Sequence, residues 1–489
     1  MTKPLYKNKT FRITGIFFLA LFLILFPIRL DLFSKFFPGQ DKKLVVPANS
    51  VSERNTWMNI FQNGRKIGFS HSVFSKKEKG YYLQETLFMR INTMGMIQDI
   101  NFRTEGNLNF DFTLSSLSFE IRSGRFSFSG QGTVSGNRLS VKTQGSGPID
   151  IKLKKKPYLA AGILDAVRAA GVKTGDKLYF DIFDPGTMSQ ERVTVKILGK
   201  ENITNMGLEE PATKVSMNFK GMTQLAWISE IGEVLKQEGM LGITLEKTGK
   251  TDALFGLEIQ SSEDLTAAVA VDPGTPVENA AKLRMLKLEI SGTEYDGLYL
   301  DGGRQRLEGN ILTILMESLP DIKTSELVNL PESDKKFLKP TPFIQSDNKK
   351  IIKLAQKIVA VDDTPLEKTG KLLKWIRDNI EKRPVLSLPD AVSTLENRMG
   401  DCNEHSVLFA ALARAAGIPA KIEAGLVYMD GRFYYHAWNL VYIGEWVTAD
   451  SLFGQFPADV THLRFASGEQ EEQLDLMGVI GNIKLKVVE

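Results

Sequence analysis

The chain has 489 residues, 43% hydrophobic and 24% charged, with 61 Lys+Arg against 58 Asp+Glu for a net charge of +3. That length suits about three domains of ~150 residues, each with a core of ordinary size. A charge so near balance gives no field that would draw a nucleic acid, and a single cysteine excludes an internal disulfide.

Residues 1–11 carry Lys3, Lys7 and Lys9, and an uncharged run rich in Phe, Leu and Ile follows at 13–28, between Arg12 and Arg29. Basic flank and apolar run together predict a transmembrane signal anchor over 12–30, with the preceding residues in the cytoplasm. No small-x-small cleavage site follows closely, and no nearby cysteine could carry a lipid. The remainder would then lie outside the cytoplasm, where an unpaired thiol is itself suggestive of chemistry. Residues 31–52 read as a linker.

From residue 53 the hydrophobic period becomes two. Strands are expected at 57–61, 66–74 and 81–91, separated by Asn63-Gly64 and Lys79-Gly80, and again at 110–121, 125–129 and 138–142. A short helix is expected at 157–170, followed by strands at 177–183, 191–198, 213–219, 224–228 and 233–237. This describes a large antiparallel β-rich domain over 53–275. It contains no metal-ligand cluster or phosphate loop; His71 stands isolated as a structural residue, and the basic run 152–156 reads as a solvated edge.

Residues 276–344 read as a β extension and linker, with strands at 283–290 and 294–303 and a charged, Pro-punctuated boundary at 332–342. An α+β domain is expected over 345–468. It begins with helices at 351–359 and 364–380, the second opened by Thr364-Pro365-Leu366-Glu367, which combines a cap, an N1 proline and a capping-box acid. A third short helix is expected at 390–397. Residues 469–489 form a tail, acidic at first and ending in a strand at 482–488.

Chemistry concentrates in 399–451. Asp401 can cap a helix with Glu404 at its third position, Leu408, Ala411, Leu412 and Ala415 make an apolar stripe, and Gly417 with Pro419 stops it. Cys402 then sits in the first turn, where unpaired N–H groups and the helix dipole favour a thiolate and lower the thiol pKa. Residues 421–429 and 432–443 read as strands joined by Asp430-Gly431. His436 lies 34 residues after Cys402, and Asp450 a further 14 on. A thiol needs a base, and an imidazole needs an acceptor that fixes its tautomer. Side-chain parity imposes a condition: a two-residue turn at Gly444-Glu445 would send His436 and Asp450 to opposite faces. A three-residue loop, 443–445, pairs Tyr442 with Trp446 and puts both on one face. His405, three residues after Cys402, is a rival base without an obvious acidic partner.

GDCNEHSVLFAALARAAGIPA, then HAWN, then GEWVTAD, resemble the transglutaminase-like superfamily in its own order, over about a quarter of the chain. The resemblance implies a papain-like core with Cys402 as nucleophile, His436 as base and Asp450 as orienting acid. For the oxyanion it leaves two candidates, Trp438 and the Cys402 backbone N–H. The β-rich region resembles the partner domains of bacterial extracytoplasmic relatives, which implies a single-pass protein of the bacterial inner membrane facing the periplasm. The activity implied is acyl transfer from an amide through a cysteine thioester on a protein or peptide substrate, more readily hydrolytic than crosslinking, without metal or cofactor. The alternatives are a non-catalytic, membrane-tethered binding or scaffold protein that uses its β-rich domain, and a regulatory subunit whose anchor pairs with other membrane proteins. Oligomeric state is not legible.

Overall fold

The computed structural model describes residues 53–143, 147–256, 263–292, 297–321, 330–468 and 474–488. The expected N-terminus, anchor and linker (1–52) and the acidic start of the tail lie outside these residues. Among those described, no helix is long and apolar enough to cross a membrane.

The first part is a fourteen-stranded antiparallel sheet. Eight strands from Arg54–Gln62 to Ile149–Lys152 run as a meander, and six more from Lys177–Asp184 to Ile243–Thr248 return to pair with the first. Alternation is the cause: in Arg54–Gln62, Met58, Ile60 and Gln62 are buried while the residues between them are not. Tyr158 bridges Thr113 and Ile182, so strands of both arms share one core, where its ring meets Phe180 edge-on at 5.0 Å. His71 stacks on Trp57 at 3.9 Å and bonds Asn55 at 2.8 Å, a packing role.

The last part is layered. A four-stranded sheet, ordered Trp446–Ala449, Arg432–Tyr442, Ala420–Met429, Leu463–Gly468, lies at its centre. Ile422, Ala437, Val441 and Val447 pack in one core with the helices Lys349–Ile358, Pro365–Asn379, Ala391–Asn397 and Cys402–Ala415. Leu426 and Phe433, nearer the Asp430-Gly431 turn, and Leu463 and Phe465 on the edge strand pack in a second core with a second four-stranded sheet. Burial on both faces explains why these strands read as near-continuous apolar runs. The helix Cys402–Ala415 is buried from Glu404 to Arg414, the central rod of the domain.

The second sheet changes how residues 276–344 and the tail are understood. Met285–Ser291 pairs with Ile311–Leu315 on one side and with Lys484–Val487 on the other. Extension and tail are therefore one structural layer, joined by a pairing between residues almost 200 positions apart, which no local pattern encodes. The large sheet meets the last part at Phe128 against Phe343, with ring centroids 5.5 Å apart, and at Gln98 against the backbone of 384–386, among other places.

Candidate active site

The cysteine helix begins as its sequence dictates. Asp401 is the N-cap and Glu404 completes a capping box, its carboxylate accepting from the Asp401 N–H at 3.0 Å. Gly400 makes this possible: a Cβ there would overlap the Glu404 Cβ and lie 2.8 Å from its Cγ. Gly400→Ala should therefore displace the box and destabilise the protein by about 1–3 kcal/mol, read from urea unfolding. The cap takes the N–H groups of Asn403 (2.8 Å), Glu404 and His405 (3.1 Å) but leaves that of Cys402.

The helix is seated on the histidine strand at residue Ala437. Ser406 Oγ donates to the Ala437 carbonyl at 3.0 Å, Asn439 Nδ2 donates to the Ser406 carbonyl at 2.9 Å, and the Ala437 N–H donates to the Cys402 thiol. The half-buried sulfur thus lies beside the residue that follows His436.

His436 and Asp450 are brought onto one face. Asp430-Gly431 turns the chain with φ of 50° and 89°, the left-handed pair a two-residue hairpin needs. Tyr442 pairs with Trp446 across a three-residue loop, the parity that a common face requires. His436 Nε2 donates to Asp450 Oδ2 at 2.7 Å, which leaves Nδ1 as the ring nitrogen for other work. The ring stacks on Phe453 at 4.9 Å. Asp450 has no exposure, and its other oxygen accepts from the Phe453 N–H at 2.7 Å. Burial opposes its charge, but His436 and His462 hold its carboxyl well below the usual carboxylate range.

His462 was missed by the sequence reading. Its Nε2 donates to the same Asp450 Oδ2 at 2.9 Å, and its Nδ1 to Asp459 Oδ1 at 3.2 Å. A ring that donates from both nitrogens to carboxylates is an imidazolium; burial works against that charge and the two carboxylates outweigh it, raising the pKa. The Asp459 carboxyl is likewise held low, against its burial, by His462 and Thr461. The loop carrying these groups is pinned from the second sheet by Arg304, which donates to the Ala458 and His462 carbonyls at 2.6 and 3.0 Å. The only local signal was Asp459 three residues before His462.

Because its folded pKa is raised, His462 contributes stability that is complete below the unfolded value of ~6.5 and fades as pH rises through the folded value. His462→Gln should therefore cost about 3–5 kcal/mol at pH 6 and markedly less at pH 10, measured by urea unfolding at both.

His436, Asp450 and His462 also hold their ligand-type atoms within 4.8 Å of one another. Both Nε2 atoms are already spent on one oxygen at 2.7 and 2.9 Å, closer than the corners of a zinc tetrahedron, which stand about 3.3 Å apart for bonds of ~2.0–2.1 Å. The arrangement fits hydrogen bonds rather than an ion.

Two sequence expectations need correction. Trp438 is fully buried and its indole N–H is committed to Glu423 at 2.9 Å, so it is not poised as an oxyanion donor. The Cys402 thiol is not lowered in the resting site: burial pushes it up, the Asp401 charge adds to this, and the Ala437 N–H opposes them. The helix dipole is real, but its cap is itself an acid. His405 gives its Nδ1 proton to the Asp401 carbonyl at 2.7 Å, burial holds its pKa down, and its Nε2 is buried without a partner. It has no carboxylate to orient it.

Residues 352–451 match the transglutaminase-like superfamily. An uncharacterized protein of Haemophilus influenzae is 30% identical over 167 residues, spanning 29% of this chain and 45% of that one. Among solved structures, a β-barrel-like protein of a domain of unknown function from Brucella abortus is 10% identical, covering 40% of this chain and 95% of its own, with a TM-score of 0.33. The periplasmic domain of TgpA from Pseudomonas aeruginosa, solved with ethylmercury, is 18% identical, covering 35% and 74%, with a TM-score of 0.24. The helices and first strands around Cys402, His436 and Asp450 form a domain of the transglutaminase-like superfamily.

Proposed function

We propose that this chain is a membrane-anchored, extracytoplasmic bacterial thiol enzyme that transfers acyl groups from amides, with hydrolysis favoured over crosslinking. The observation that carries the reading is the His436–Asp450 pair at 2.7 Å on the strand whose next residue, Ala437, touches the Cys402 thiol. Cys402 Sγ passes its proton to His436 Nδ1 and attacks the carbonyl carbon. His436 then gives that proton to the leaving amine as the C–N bond breaks, and Asp450 holds the ring throughout. The thioester is resolved by water, giving an acid, or by a second amine, giving a new amide. The Cys402 N–H, left free by the cap, is the donor available to the oxyanion. Anchoring rests on the basic-flanked apolar run at 13–28.

A second reading, a binding or scaffold protein with an inert cysteine, draws on the upward push on the thiol. Incubating the full-length protein with casein and a fluorescent primary amine separates the possibilities. New N-termini without label indicate hydrolysis, covalent label indicates crosslinking, and neither one, over a range of protein substrates, favours the scaffold.

A further inference from the structure

A cleft of about 520 Å³, within the ~300–1,000 Å³ usual for ligand sites, lies where the large sheet meets the segment before Cys402. One wall comes from the hairpin of Gly80–Thr93 and Met96–Leu108 and the turn 123–126 that joins the next two strands; the other comes from residues 383–385 and Met399. The walls are fastened together. Gln98 donates from Nε2 to the Pro384 carbonyl and accepts the Leu386 N–H at Oε1, both at 3.1 Å. The far wall continues into the site, because Glu381 and Lys382 pair with Met399 and Gly400, and Gly400 immediately precedes the cap of the cysteine helix.

The lining has a definite chemistry. Ile97, Phe126, Val385 and Met399 supply apolar surface, and Ile97 is 45% exposed despite its size. Three guanidinium groups border it. That of Arg90 is neutralised by Asp99 through bonds of 2.6 and 2.9 Å. Those of Arg125 and Arg383 are exposed and have no carboxylate partner among the described residues. An apolar cleft edged by two uncompensated cations suits a carboxylate flanked by apolar groups, and guanidinium is the cation best shaped to hold one.

We propose that this cleft binds an acidic segment of an extended peptide whose amide is presented to Cys402. The proposal rests on the acyl-transfer reading for the second half of that statement only. Met399 is three residues from Cys402, so their Cα atoms are at most about 11 Å apart. At ~3.3 Å per extended residue, the Met399 wall of the cleft is within reach of a peptide of about three residues that starts at Cys402.

The test uses full-length Cys402→Ala protein and two rhodamine-labelled peptides, one alternating Leu and Glu and its Leu and Gln counterpart, followed by fluorescence anisotropy. The acidic peptide should bind about tenfold more tightly. Arg125→Gln and Arg383→Gln should each weaken it severalfold and together erase the preference, leaving the Gln peptide unaffected. Equal binding of the two peptides, or a preference that survives in the double variant, overturns the proposal. Alkylation of Cys402 by iodoacetamide, measured separately in the wild-type protein, keeps the two readings apart. A reactive thiol without peptide preference removes the cleft assignment alone, and an inert thiol with the preference intact removes the acyl-transfer reading alone.

Discussion

Cys402→Ala should abolish amide hydrolysis and amine incorporation together, with a fall in kcat on the order of 10⁶ and little change in KM. The thiol is the atom that becomes covalently bound to the acyl group, and both outcomes pass through the same thioester, so no residual route survives its removal. The side chain is half-buried and alanine removes a single sulfur from it, so the denaturation midpoint should move little. This combination separates loss of chemistry from loss of fold. If hydrolysis persists in the variant, the nucleophile lies elsewhere; His405 and the remaining histidines offer no comparable atom, and the acyl-transfer account would have to be abandoned.

Asp450→Asn should be the most damaging change that leaves the nucleophile in place. The carboxylate accepts from His436 at 2.7 Å and from His462 at 2.9 Å through one oxygen. An amide must turn its nitrogen either toward both ring N–H groups or toward the Phe453 N–H, a donor facing a donor in each case, and its oxygen carries no charge to offset either ring. His436 would then lose the partner that fixes its tautomer, with a fall in kcat of about 10⁴. His462 would keep Asp459 but lose half of its compensation, and removing one member of a buried charged set costs about 3–5 kcal/mol. The pH dependence identifies the cause. A carboxyl with a depressed folded pKa contributes stability above its unfolded value of ~3.9 and loses it as pH falls through the folded value. Wild-type protein should therefore shed this contribution on strong acidification, and the Asn variant should have none left to shed.

The parts of this site carried by local pattern were readable from the chain. The cap, box and stop of the cysteine helix follow from residues 400–419 taken alone. The parity argument was readable too, because side chains alternate along a strand that has no bulge: Tyr442 pairs with Trp446, and His436 shares a face with Asp450. His462 was not readable. It follows a loop rather than lying in a periodic element, and its partner Asp450 meets it only through the fold. The second sheet was hidden for a similar reason, since Lys484–Val487 finds its neighbour Met285–Ser291 across the whole catalytic region. Arg304 and Gln305 in that layer hold the chain around His462 and Arg464, so a stretch that reads as an extension and linker braces the site. The thiol pKa was misjudged because a dipole argument counts the helix and omits the burial of the thiol and, after it, the acid that caps the helix.

That last point sharpens the central test. With burial and Asp401 raising the thiol, a reactive thiolate can exist near neutral pH only if His436 takes the proton and stays beside it as imidazolium. The measurement is the rate of Cys402 alkylation by iodoacetamide against pH, in full-length protein and in His436→Ala. The account predicts a low-pH limb well below the free-thiol value of ~8.5 in the wild type. In His436→Ala that limb should vanish, leaving a single titration above ~8.5, since nothing then offsets burial and the acidic cap. Superimposable curves for the two proteins, both following a slow and ordinary thiol, would contradict the thiolate–imidazolium pair on which the proposed activity depends.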